Sequence, residues 1–123
     1  MPWYLSETKD ADRARLVKGW TELGRYLRSI DPYKRIVTVH PSRNARESVD
    51  DLSTIDFDML QTGHGDRKSL PNTIRSVVAS YAAQPQMPVV NGEVTYEGIL
   101  GQAPHEIQRL MFWASILNGA CGF

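Results

Sequence analysis

Five side chains able to do acid, base or hydrogen-bonding chemistry stand where apolar runs stop. His40 closes Arg35-Ile36-Val37-Thr38-Val39-His40. Gln61 lies at the end of Phe57-Asp58-Met59-Leu60-Gln61-Thr62, with His64 just beyond, and Asn91 closes Pro88-Val89-Val90-Asn91, followed by Gly92-Glu93. If these runs are parallel strands, their C-terminal ends lie at one face, the face on which barrel enzymes build active sites. Taken singly, each residue has a plainer use: a strand-end histidine caps or orders a loop, and a glutamate after a strand is solvated or caps the next helix. Three successive strand ends of this kind favour a site.

Glu93 is the leading catalytic candidate, because its carboxylate comes directly off a short apolar run and Gly92 lets the backbone bend there. Glu97 competes for the same role. Tyr96 serves either as a packing aromatic or as a hydrogen-bond donor to a carboxylate. Glycoside hydrolysis ordinarily needs two carboxyl groups, about 5–5.5 Å apart where configuration is retained. Asp58 is the other acid in a predicted strand, but Phe57 and Met59 flank it and leave its direction open. His40 and His64 lack a carboxylate or cysteine at ligand spacing, so neither a metal nor another cofactor is expected.

The elements that must position these residues follow from periodicity. Leu16, Trp20, Leu23, Leu27 and Ile30 recur at spacings of four and three and predict a helix over about Asp10 to Ile30 with these residues on its buried stripe. Asp31-Pro32 ends it. The β-branched run 35–40 suits a strand covered on both faces, and residues 41–54 read as a polar loop. Pro71 opens a second helix whose buried face is Ile74, Val77, Val78 and Tyr81. Pro104 opens a third, with Ile107, Leu110, Met111, Ala114 and Leu117 as its stripe. Trp20, Phe112 and Trp113 are assigned to core. Cys121, the single cysteine, reads as a buried structural thiol.

Strands alternating with helices imply α/β architecture with a parallel sheet. A doubly wound sheet and part of a (β/α)8 barrel both fit. No Gly-x-Gly-x-x-Gly or phosphate loop follows a strand, which weakens the nucleotide-binding form of the former. The 123 residues suffice for one domain, and hydrophobic and charged fractions of 41% and 23% are ordinary for a folded chain. Fourteen basic and fourteen acidic residues cancel, leaving no electrostatic footprint for nucleic acid or an anionic membrane. The N-terminal residues lack the basic and apolar regions of a signal peptide. The ending Asn118-Gly119-Ala120-Cys121-Gly122-Phe123 runs onto small residues that lead into a further element, so the chain is expected to be an internal portion of a larger domain.

Thr38-Val39-His40-Pro41-Ser42, Phe57-Asp58-Met59-Leu60-Gln61-Thr62-Gly63-His64 and Pro88-Val89-Val90-Asn91-Gly92-Glu93-Val94-Thr95-Tyr96-Glu97-Gly98 together resemble the apiosidase-like family of glycoside hydrolases. Asp31-Pro32-Tyr33 and Phe112-Trp113-Ala114 through Gly119-Ala120 fit the same pattern, in order and over nearly the whole chain. The resemblance implies a (β/α)8 (TIM) barrel of which residues 1–123 are about strands 5 to 7 with flanking helices. It also implies a retaining glycosidase acting on plant cell-wall polysaccharide, with apiose-containing pectin side chains as one candidate, and secretion or export to the periplasm.

On this resemblance Glu93 takes the place of the nucleophile, with His40, Gln61, His64, Tyr96 and Glu97 around the sugar. The acid/base residue would precede residue 1, Glu7 being a weak stand-in, and the rest of the barrel would come from the parent chain. The competing functional expectation is a non-catalytic, carbohydrate-binding barrel relative. A small standalone doubly wound domain is a weaker alternative.

Overall fold

The computed structural model describes residues 10–123, so the region of Glu7 lies outside the described residues. Helix α1 spans Asp10–Ile30, strand β1 Asp58–Gln61, helix α2 Leu70–Ala82, strand β2 Val89–Glu93 and helix α3 His105–Leu117, with short 3-10 turns between them. Strands β1 and β2 pair in parallel with α2 as the crossover, the unit that parallel pairing requires. The chain is therefore mixed α/β around a parallel β-α-β unit.

Both edges of this pair are partly occupied. On the β1 side Asn44 bridges Leu60 antiparallel, the Ala45 amide donating to the Met59 carbonyl at 2.9 Å. On the β2 side Gly122 bridges Val90 in parallel, and the Cys121 amide donates to the Val89 carbonyl at 2.8 Å. The small residues after α3 thus lie along the other edge of β2.

The run 35–40 corrects its expectation of a strand: it belongs to neither strand of the sheet. One backbone bond holds it, from the Asp56 amide to the Val37 carbonyl at 2.8 Å, and side chains supply the rest. The Asp56 carboxylate accepts from the Val37 amide at 2.6 Å, and the Thr38 hydroxyl donates to the Phe57 carbonyl at 2.8 Å. Upstream, Asp31 accepts from the amides of Tyr33 and Arg35, fixing the turn out of α1. His40 is still delivered beside the end of β1, by a tethered segment and not by a third strand.

Helix α1 packs differently from its apolar stripe. Its buried residues are Thr21 and Gly24. The Thr21 hydroxyl accepts from the Asp50 amide at 2.9 Å, and a Cβ on Gly24 would lie 2.9 Å from Thr54 Cβ, so helix and 3-10 turn meet nearly backbone to backbone. Trp20 is half-buried against Val39, Ala45, Val49 and Ile55, whereas Leu23, Leu27 and Ile30 are exposed, Ile30 at 55%. Periodicity located an apolar face, but the described chain covers only its flank. The turn below is held by Asp51, whose carboxyl is lowered to about 2 by the Ser53 hydroxyl and then by Arg25.

The same one-sidedness corrects the other two stripes. In α2 the covered residues are Thr73, Val77 and Ser80, while Val78 and Tyr81 are exposed. In α3 they are Ile107, Met111 and Ser115, with Leu117 76% exposed. Phe112 and Trp113, expected in the core, are exposed and meet edge to face at 5.1 Å between ring centroids. Cys121 is exposed as well, its thiol 3.3 Å from the Val89 carbonyl. Two further small clusters, Leu60-Val77-Val89-Ala120 and Val94-Ala103-Ile107-Met111, pack the strands and their loops onto α2 and α3.

Candidate active site

The register of β1 on β2 decides where the polar strand ends point. Asp58, Met59 and Leu60 pair with Val89, Val90 and Asn91, but Gln61 pairs with Glu93, leaving Gly92 as an extra residue. Such a bulge re-aims the side chains after it. Strand residues alternate in direction, so Gln61 and Thr62 face opposite sides of β1. Asn91 meets Thr62, and Glu93 meets Gln61. In a regular strand, with no shift of register, Glu93 would share the side of Asn91 and face the helices.

On its own side Glu93 is the centre of a cluster. His40 Nε2 lies 3.0 Å from Oε2, and His64 Nε2 lies 2.9 Å from Oε1. The Tyr96 hydroxyl also donates to Oε1, and Gln61 donates to the same carboxylate. The His64 and Tyr96 rings lie 4.6 Å apart between centroids. The Glu93 side chain is only 13% exposed, against 57% for His40. His40 forms the outer wall of the site.

Burial pushes the Glu93 carboxyl up. The hydrogen bond from Tyr96, the charge of His40, the hydrogen bond from Gln61 and the charge of His64 outweigh that and hold it below the ordinary value of 4.5. At neutral pH it is an anion surrounded by donors. Such a group suits attack on an electrophilic carbon or stabilisation of a developing cation, and not delivery of a proton.

His40, Gln61, His64, Glu93 and Tyr96 are thus brought together. Glu97 is exposed in the turn beyond Tyr96 and takes no part in the cluster. Asn91, expected at the same face, belongs instead to a buried polar network on the helix side. Its amide donates to Ser115 Oγ at 2.9 Å, and Thr73 Oγ1 donates to Thr62 Oγ1 at 3.0 Å. Asp58 also lies on that side. It is buried, accepts from Ser80 at 2.6 Å and faces Arg46 Nε at 3.3 Å, which gives it a structural role. A cleft of about 900 Å³ opens between α2 and residues 42–47 and takes in Asp58 and Thr62, but not Glu93.

Sequence reasoning missed Thr62, Thr73 and Ser115. The available signal was a hydroxyl residue set within an apolar helical face: Thr73 beside Ile74 and Val77, Ser115 beside Met111 and Ala114. It also missed Thr95, which is fully buried between the loops that bear His64 and Tyr96. Among the described residues, no group of three or more acidic, histidine or cysteine side chains has a geometry that would hold a metal ion.

A family model described as the apiosidase-like catalytic domain matches residues 2–123. No curated protein and no solved structure matches the chain.

Proposed function

The chain belongs to the apiosidase-like catalytic-domain family, and from that premise we propose that Glu93 is the nucleophile of a retaining glycoside hydrolase. A glycosidase-related function follows from the family. The single observation that carries the finer reading is the setting of Glu93: a strand-end carboxylate on whose two oxygens Tyr96, His64 and His40 converge. A retaining nucleophile must be an anion aimed at the anomeric carbon. Tyr96 and His64 fix Oε1, while the exposed His40 on Oε2 is placed to exchange its contact for a sugar hydroxyl.

The parallel β-α-β unit, the pairing of Gly122 beyond β2 and the uncovered apolar faces of all three helices support a partial (β/α)8 barrel, about strands 5 to 7. Neighbouring barrel units would cover those faces. The acid/base carboxyl would then come from the end of the strand preceding α1. Among the described residues, no second carboxylate shares the Glu93 cluster: Asp58 faces the helices and Glu97 the solvent. The proposed substrate is a glycosidic bond of plant cell-wall polysaccharide, with apiose-containing pectin side chains within that class.

Covalent trapping tests the reading. The full barrel is incubated with an activated 2-deoxy-2-fluoroglycoside and digested, and the peptide containing Glu93 is expected to gain the glycosyl mass. A label on Glu97 would reassign the nucleophile. Sugar binding without any label would favour a non-catalytic carbohydrate-binding relative.

A further inference from the structure

Two loops reach Glu93 from different strands, and one buried hydroxyl ties them together. Thr95 is fully buried. Its Oγ1 accepts from the Asp66 amide at 3.3 Å, and its carbonyl accepts from the Gln108 carboxamide of α3. Asp66 lies two residues past His64, and Thr95 directly precedes Tyr96. The donors that share Glu93 Oε1 are therefore each within two residues of the Thr95–Asp66 contact.

The rest of each loop is secured independently. The Thr62 amide donates to the Glu93 carbonyl at 2.9 Å, and the Gly65 amide donates to Ser69 Oγ at 2.8 Å. Asp66 itself sits at φ 54, in the left-handed region that costs a non-glycine residue energy. Its amide is aimed at Thr95 from that conformation. Loss of the Thr95 hydroxyl would leave both loops folded but the spacing of His64 and Tyr96 unset.

The geometry assigns Thr95 as a positioning residue: it holds the His64 loop against the Tyr96 loop so that both side chains donate to one oxygen of Glu93. Its hydroxyl does not reach that carboxylate and acts through the two loops. The inference rests on the reading of Glu93 as nucleophile for its kinetic consequence, and on geometry alone for its structural one.

The test compares Thr95→Val, which keeps the shape and removes the acceptor, with Thr95→Ser, which keeps the hydroxyl. Two readouts are followed in the full protein: the pH profile of kcat/KM on an aryl glycoside, and the pH titration of the Glu93 carboxyl by carbon-13 NMR. In Thr95→Val the carboxyl is expected to titrate at higher pH and the acid limb to move with it. The value of kcat should fall about tenfold or more, as sub-ångström misplacement does, with KM within about twofold. Thr95→Ser should restore all three. Should Thr95→Val not fold, Thr95→Ala carries the same expectations. An unchanged carboxyl titration in a folded variant lacking the hydroxyl overturns the proposal. A titration shifted in Thr95→Val, beside a wild-type protein that hydrolyses no glycoside, supports the role of Thr95 and overturns the nucleophile reading instead.

Discussion

Asn91 and Glu93 are two residues apart on β2 and face opposite sides of it. Asn91 meets Ser115 of α3, and Glu93 meets His40 and His64. Side chains at i and i+2 of a regular strand share a side, so the extra residue at Gly92 separates the structural from the chemical half of the strand. One residue of register decides whether the carboxylate stands among helices or among histidines.

That device can be broken at Gly92. A Cβ there would lie 2.8 Å from Met59 Cγ and 2.9 Å from Met59 Sδ. Gly92→Val is expected to destabilise the protein by about 1–3 kcal/mol through overpacking. Gly92→Ala should cost less and be relieved by Met59→Ala, since the clash is with that side chain. Chemical denaturation of the two singles and the double mutant checks the coupling; strictly additive losses would mean that Met59 is not the obstacle.

The polar network on the other side of β2 makes a different demand. Asn91 is buried and its amide donates to Ser115 Oγ. Asn91→Ala leaves buried hydroxyls of Ser115 and Thr62 with fewer partners and is expected to cost about 1–3 kcal/mol. The loss should appear as a lower denaturation midpoint, while the carboxylate of Glu93 keeps its titration. A variant of wild-type stability would show that the network is dispensable.

Strands β1 and β2 were legible in the sequence because they rest on local chemistry, an apolar run that stops at polar residues; the same signal over 35–40 marked no strand, and Asn91 at its third instance is buried. Helix α1 was legible to its last residue for a similar reason, with Asp31-Pro32 closing it. The bulge was not legible, since Gly92 permits it but the pairing of Gln61 with Glu93 is a long-range fact. Nor was the choice of covered helix face. Leu23 and Leu27 satisfy the period as well as any core residue, yet the contact is made by Thr21 and Gly24, whose small size allows close approach. His40 reached its place through an irregular route, because Asp56 and Thr38 satisfy the backbone that a ladder would otherwise have used.

The lowered Glu93 carboxyl fixes the sign of a pH effect. A group whose folded value lies below its unfolded one contributes stability above the unfolded value and loses it as pH falls through the folded one. The stability difference between wild type and Glu93→Gln should therefore be steady above the ordinary value of 4.5 and drift toward the variant as pH falls below it. Thermal melts of both proteins at steps from neutral to acid pH measure this. A difference that instead grew in favour of wild type on acidification would mean that burial, and not the donors, governs the group.

Glu93 and Glu97 are the two glutamates of one short segment, and the structure treats them unequally: four donors face the first, and the second lies in solvent. Glu93→Gln keeps the shape and removes the charge, so the protein should fold and its kcat on an aryl glycoside should fall by about a thousandfold or more. Glu97→Gln should be milder, with any loss partly in KM, as expected of a residue that touches substrate without forming a bond to it. Azide separates the roles in the truncated variants Glu93→Ala and Glu97→Ala. A small anion can occupy the space left by a missing nucleophile and attack the anomeric carbon, which gives a glycosyl azide of inverted configuration. Rescue of Glu93→Ala, with no comparable effect on Glu97→Ala, is the expected outcome, read from the product by NMR. The reverse pattern, a dead Glu97→Ala rescued by azide beside an active Glu93→Ala, would move the nucleophile to Glu97 and leave the Glu93 cluster as a sugar-binding wall.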